Sequence, residues 1–286
     1  MKTTSYQKET EPFSYRHEFH AGNIGDVWKH LIWIELLTAL QAQHESLTVV
    51  DCHAGLGEYR LKPTGEWSEG LGRILSLDEK SAPPALQHYL RQVKPGGEAA
   101  GRRYPGSPQL CAVHLRPGDK LICCELVEDV CAGLRQSMDG FPSVEVIQGD
   151  GPEIMRERCA GHGANRELFL LDPPWTAKRE WLDLPRLIGE SSSLWPEAVF
   201  ALWYPIKSYG RVNEMQRLLR GAQLPALVME LITTPLQHRR NRLNGSGVVV
   251  INPPGRVAVE AAAAGAVLAQ ECAVLPHQWE LRVFSF

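Results

Sequence analysis

Between residues 120 and 222 four short apolar runs alternate with four helical stretches, and few folds accommodate that order. KLICCEL (120–126), VEVIQGD (144–150), LFLLDPP (168–174) and AVFALWYPI (198–206) have the length and composition of strands. EDVCAGLRQSM, EIMRERCA, AKREWLDLPRLIGESS and GRVNEMQRLLRGA follow them as helices. Strands that alternate with helices predict a parallel sheet covered on both faces. Upstream, Val27, Leu31, Ile34 and Leu37 place a buried face on a helix of roughly residues 25–43, and a strand at 47–50 follows. Near the C-terminus ALVMELIT, GVVVINPP and WELRVFSF crowd together, so the last strands are expected to pair antiparallel.

The alternation fails between about residues 58 and 104. That stretch has few β-branched runs, two short helices and the turn signals KPTG, SAPP and KPGG, so it is read as a small helical insertion. Residues 1–13 are polar and aperiodic and are read as a flexible tail, which leaves 14–286 as one α/β domain.

Composition sets outer limits. The chain has 286 residues, 44% hydrophobic and 22% charged, with a net charge of −3. That balance excludes a general polyanion binder but leaves room for a local basic patch. The seven cysteines lack zinc-ligand spacing, so no metal site is expected. They read as small core residues in a reducing compartment, hence the cytoplasm. The N-terminus lacks the apolar core of a signal peptide. AAAAGAVLA (261–269) falls far short of the ~20 residues needed to cross a bilayer. No long apolar stripe demands a partner, so a monomer is expected.

In a doubly wound sheet ligands bind at the carboxyl ends of the strands. Four successive ends carry an acid here: Asp51, Glu125, Asp150 and Asp172. The first is followed by His53 and a turn with Gly55 and Gly57. The dinucleotide fingerprint needs a third glycine where Arg60 stands, which disfavours a pyrophosphate. Glu125 can accept hydrogen bonds from two ribose hydroxyls, and Asp150 would face the adenine of the same ligand. A ribose and an adenine without a pyrophosphate point to S-adenosylmethionine.

LFLLDPPW (168–175) carries the reaction chemistry. The exocyclic nitrogen of adenine is a poor nucleophile because its lone pair is delocalised into the ring. The Asp172 carboxylate and the Pro173 carbonyl can accept its two N–H bonds, and consecutive prolines fix the carbonyl's direction. The nitrogen is thereby aimed for an in-line methyl transfer. Trp175 offers a flat surface for a flipped-out base. The near-copy Asn252-Pro253-Pro254 is followed by Gly255, which stacks on nothing, and is read as a structural strand end.

Taken together, SYRHEFHAGNIGDVWKH, DCHAGLGEYRL, GEWSEGLGRI, YPGSPQL, CCEL, GDG, LLDPPW, ALWYP and GSGVVVINPP resemble the RlmJ family, the 23S ribosomal RNA adenine-N6 methyltransferases. The resemblance implies a Rossmann-like class I methyltransferase fold with an inserted helical subdomain. It implies S-adenosylmethionine as cofactor and 23S ribosomal RNA as partner. It assigns His30, His53, Ser107, Glu125, Asp150, Gly151 and Asp172 to the cofactor, Asp172 to catalysis and Tyr15 to the substrate. The family usually carries tyrosine where this chain has Trp175, so any role for that hydroxyl is lost. Gly55 joins the cofactor set through its turn. Lys29 joins it as a counterion for the methionine carboxylate, with a solvated lysine as the plain alternative. His17 and His20 are read as packing or capping residues. For the RNA, Arg16 with His17, Lys207, and the run His238, Arg239, Arg240, Arg242 supply positive charge. Trp203 and Tyr204 are aromatic candidates beside them, unless ALWYP is core. The same turn would also suit adenine in DNA or an amide nitrogen in protein. A catalytically silent RNA-binding module is the reading from another class.

Overall fold

The computed structural model describes residues 17–94, 102–161, 166–238 and 243–286. The tail and the candidate RNA contacts Tyr15, Arg16, Arg239 and Arg240, with Arg242, lie outside them. Among the described residues, α1 (His17–His20) and α2 (Ile24–Gln41) precede the first strand, β1 (Leu47–Asp51). Asn23 caps α2, its side chain accepting from the Asp26 N–H. The chain continues through β2 (Glu58–Arg60), α3 (Leu71–Ile74), α4 (Pro84–Val93), β3 (Arg103–Pro105) and α5 (Ser107–Ala112). Regular alternation then runs through β4 (Lys120–Glu125), α6 (Glu128–Met138), β5 (Val144–Gln148), α7 (Gly151–Gly161), β6 (Arg166–Leu171), α8 (Glu180–Leu194), β7 (Val199–Ile206) and α9 (Tyr209–Gly221). The last elements are β8 (Ala226–Ile232), β9 (Gly245–Ile251), α10 (Val257–Cys272) and β10 (Glu280–Ser285).

Eight strands form one sheet in the order β10-β8-β9-β7-β6-β1-β4-β5. Pairing from β5 to β7 is parallel throughout. The order reverses between β1 and β6, the switch point where a doubly wound sheet opens a crevice. The expectation that the last strands pair antiparallel holds for β10 with β8 and for β9 with both its neighbours. Strand β9 slots between β7 and β8, which the sequential reading of crowded strands did not foresee. The 16-residue α10 was not anticipated either; it connects β9 to β10.

Side chains alternate between two cores, as strand geometry requires. Val49, Leu168, Leu170, Val199 and Ala201 face the layer that includes α2, α4 and α10. Val50, Phe169, Leu171, Phe200 and Leu202 face α8 and α9. Phe169 and Phe200 stack there at 5.2 Å. All seven cysteines are buried and free. None of the described helices is long and apolar enough to cross a membrane.

The insertion leaves and rejoins the domain through β2 and β3, an antiparallel pair that the sequence did not reveal. It is fastened to the start of α2: the Leu71 N–H donates to the Gly22 carbonyl at 2.9 Å. A Cβ on Gly70 would lie 2.5 Å from the Asn23 backbone, so the two segments touch main chain to main chain.

Tyr204, a candidate for RNA contact, is fully buried, which settles it as core. Its hydroxyl donates to the buried Glu230 at 2.8 Å, and the Gln216 amide donates to the same oxygen at 2.9 Å. The ring lies against Gly247, where a Cβ would come within 2.3 Å of it. We therefore expect Gly247→Ala to destabilise the fold by about 1–3 kcal/mol through overpacking. The check is a lowered urea midpoint with an unchanged slope.

Candidate active site

The carboxyl ends of the parallel strands open into a cleft of about 2200 Å³. Ordinary small-ligand sites occupy ~300–1,000 Å³, so more than one ligand has room. Every described residue that the sequence singled out for cofactor or catalysis lines this cleft.

The turn after β1 is shaped by glycine. Gly55 and Gly57 have φ of +62° and +77°, which side-chain-bearing residues adopt at a cost. At Gly55 a Cβ would also fall 2.3 Å from the Tyr59 hydroxyl, which accepts from the Leu56 N–H. Glu125, ending β4, is held by two main-chain donors. Its Oε2 accepts from the Gly55 N–H at 3.2 Å and its Oε1 from the Val127 N–H at 2.8 Å. Each carboxylate oxygen has a further lone pair for a ligand hydroxyl. Leu126 and Val127, both largely exposed, supply apolar surface beside it. Asp150 caps α7, its Oδ1 accepting from the Glu153 N–H at 3.3 Å. The next residue must be glycine, because a Cβ on Gly151 would lie 1.9 Å from the Cys52 carbonyl oxygen. That approach draws the Asp150 turn against the end of β1.

At the end of β6, Lys29 donates to Asp172 Oδ2 at 2.5 Å and to Asp26 Oδ1 at 2.8 Å. Burial alone would depress the Lys29 ammonium, but the two aspartates override it and raise it above its ordinary value. The ammonium also lies 5.5 Å and 5.6 Å from the ring centres of Trp33 and Trp203. Lys29 is not the solvated lysine of the plain alternative: it is a buried link between two acids. Asp26, which also accepts from the Gly22 N–H at 3.0 Å, was missed. Its only sequence signal is the i,i+3 spacing to Lys29.

His53 accepts the Asp172 N–H on Nδ1 at 3.3 Å. Burial pushes its pKa down to about 4, against the pull of Asp172 and Asp150. Asp51 lies behind the cleft, fully buried. Burial raises its carboxyl to about 6, although hydrogen bonding from Ser107 and the His53 N–H opposes that. The buried His30 ring bonds to the Tyr104 hydroxyl at 3.0 Å through Nδ1, and Tyr104 to Tyr89 at 3.0 Å. Ser107 opens α5 and is buried at the cleft wall.

Trp175 departs from the open platform the sequence suggested. It is 9% exposed, and its ring packs on Trp181 with centroids 4.1 Å apart. Its Nε1–H donates to the Trp203 carbonyl at 3.2 Å. Its φ of +54° is rare for a bulky residue, so these contacts hold it in a conformation it would not choose. Trp203 and Lys207 line the cleft, while His20 pairs with Glu66 at 2.9 Å. Among the described residues no group of three or more His, Cys, Asp or Glu is placed to hold a metal ion. Asn252 behaves as the structural strand end expected of it. Its amide donates to the Pro196 and Ala198 carbonyls at 2.9 and 2.8 Å, locking β9 to the segment before β7.

A doubly wound sheet with a glycine turn, an amide-held acid after the second parallel strand and an Asp-Pro-Pro turn after the fourth has the architecture of a class I methyltransferase. The comparisons with known proteins narrow this. The family model described as "Ribosomal RNA large subunit methyltransferase D, RlmJ" matches residues 44–282, and the chain belongs to that family of ribosomal RNA methyltransferases. It is 32% identical over 251 residues to Ribosomal RNA large subunit methyltransferase J of Escherichia coli K12, spanning 85% of this chain and 88% of the relative. The protein of that name from Haemophilus influenzae is 31% identical over 253 residues, spanning 84% and 87%. Among solved structures, protein LPL1258 of Legionella pneumophila superposes with a TM-score of 0.83 at 26% identity, covering 93% of this chain and 98% of that one.

The two perturbed groups beneath the cleft oppose each other in their pH dependence. His53 costs stability as pH falls from 6.5 toward 4, because the unfolded imidazole is protonated first. Asp51 costs stability as pH rises from 3.8 toward 6, because the unfolded carboxyl ionises first. Each slope approaches about 1.4 kcal/mol per pH unit where one state alone holds the proton. In Asp51→Asn only the histidine slope remains. Unfolding free energies between pH 4 and 6 should therefore rise more steeply with pH in the variant than in the wild type. Parallel curves would show that the aspartate is not perturbed.

Proposed function

We propose that the protein transfers the methyl group of S-adenosylmethionine to the exocyclic N6 of one adenine in 23S ribosomal RNA. It acts on a flipped-out base, as a monomer, in the cytoplasm and without a metal. One observation carries the reading. Asp172 is gripped by Lys29 through Oδ2 alone, while Oδ1 has no hydrogen bond among the described residues and the group stands at the floor of a two-ligand cleft.

The cradle fits S-adenosylmethionine. Glu125, fixed by two main-chain amides, suits the ribose hydroxyls, and Leu126 and Val127 suit the flat face of the nucleoside base. When bound, the cofactor supplies an electrophilic methyl on a sulfonium. The chain's task is to present the nucleophile. Asp172 Oδ1 and the Pro173 carbonyl accept the two N6–H bonds and turn the nitrogen lone pair out of conjugation. With the cofactor bound, in-line attack by that nitrogen would break the carbon–sulfur bond, its electrons going to sulfur, and the amine proton would pass to the Asp172 carboxylate or to water. Lys29 fixes the orientation of the Asp172 carboxylate, so the acceptor is preorganised. Trp175, braced by Trp181 and the Trp203 carbonyl, borders the space the base would enter.

Methyl transfer from labelled S-adenosylmethionine to protein-free 23S RNA, assembled large subunits and duplex DNA tests the reading directly. Digestion should yield N6-methyladenosine from 23S RNA. Label confined to DNA, or absent everywhere, defeats it. Asp172→Ala should lower kcat by at least ~100-fold, the scale of losing one oriented polar contact to the reacting group. Its cofactor affinity, measured by calorimetry, should fall only modestly. Trp175→Ala should raise the KM for RNA more than it weakens cofactor binding.

A further inference from the structure

Part of the cleft lining, taken as a second lobe, is made of residues outside the cofactor and catalytic sets. Its walls are α1, residues 62–69 of the insertion, and the end of β7. Phe19 is 41% exposed there, an aromatic ring open to water inside a concave surface.

The ring's surroundings are fixed. His20 stands edge-on to it at 5.3 Å and 89°, and His20 Nδ1 bonds Glu66 Oε2 at 2.9 Å. The Asn23 amide donates to the same oxygen at 3.2 Å, so the cap of α2 holds the group. Below, the Gly65 N–H and the Trp67 indole N–H both donate to the Lys62 carbonyl, at 3.0 and 2.6 Å. A Cβ on Gly65 would meet the Phe19 carbonyl oxygen at 3.3 Å, so this tight turn backs the helix carrying the ring.

Charge completes the pattern. Lys207 is exposed on the lining and stands near enough to His20 to oppose its protonation. Glu66 is committed to His20 and Asn23, and Glu69 shares the wall. Such a lobe is no polycation for a duplex. One open ring with a single cation on the same lining suits a single unpaired nucleotide, its base stacked and its phosphate paired.

We propose that this lobe is a second nucleotide subsite: Phe19 stacks an unpaired base flanking the target adenine, and Lys207 holds the adjoining phosphate. The proposal rests on the RNA methyltransferase reading and adds a role for the insertion, which supplies one wall of the substrate path.

The test uses the full chain, protein-free 23S RNA and steady-state methyl transfer. Phe19→Ala should raise the KM for RNA by about 5–150-fold, the range for losing one base stack. Phe19→Trp should restore it, and S-adenosylmethionine affinity should match the wild type in both. Lys207→Ala should reduce the slope of log affinity against log salt by about 0.7, the value for one single-strand phosphate contact. A wild-type KM in Phe19→Ala, or a parallel loss of cofactor affinity that tryptophan does not rescue, overturns the subsite. The broader reading fails separately, if the wild-type protein places no methyl on RNA. Fluorescence anisotropy of RNA binding by Phe19→Ala then still decides whether the lobe holds a nucleotide.

Discussion

An ammonium ion buried between two carboxylates holds this site together. Lys29 is 3% exposed and spans from Asp26 on its own helix to Asp172, just past the end of β6 and 143 residues away. An isolated buried charge is costly, and removing one partner of such a group is worse than replacing all of them. The triad therefore fixes where α2 sits relative to the end of β6. Because Asn23 caps α2 and Gly22 meets the insertion, the same link sets the position of the insertion over the cleft.

The sheet strands were legible because each is a short apolar run ending at a turn signal or an acid. The edges of that legibility have physical causes. β2 and β3 are three residues each and pair across more than forty intervening positions, so neither has a local pattern. α10 is so rich in alanine that its faces barely differ in polarity, and no periodicity marks it. β9 lies between β7 and β8 because sheet order obeys packing and not chain order.

The site was legible where chemistry follows the strand ends. Glu125, Asp150, Asp172 and the glycine turn come together as the fold class requires. What escaped were relations between distant residues. Lys29 beside His30 looks like any helix lysine until Asp172 is placed against it. Trp175 reads as a free surface until Trp181 is seen behind it, six positions on and in the next helix. Gly151 carries no special φ; only the Cys52 carbonyl against it explains why nothing larger fits.

The bond between His53 and the Asp172 N–H closes off one chemical option. Pro173 and Pro174 have no N–H, so this is the last main-chain donor before the turn ends, and an imidazole nitrogen takes it. With Nδ1 accepting and the ring neutral down to about pH 4, the proton resides on Nε2. That histidine can donate, but it has no nitrogen left to take a proton. In the proposed amine methylation the released proton would leave through the Asp172 carboxylate or through water, because the His53 imidazole, already bonded to the Asp172 N–H, takes no part in carrying it away.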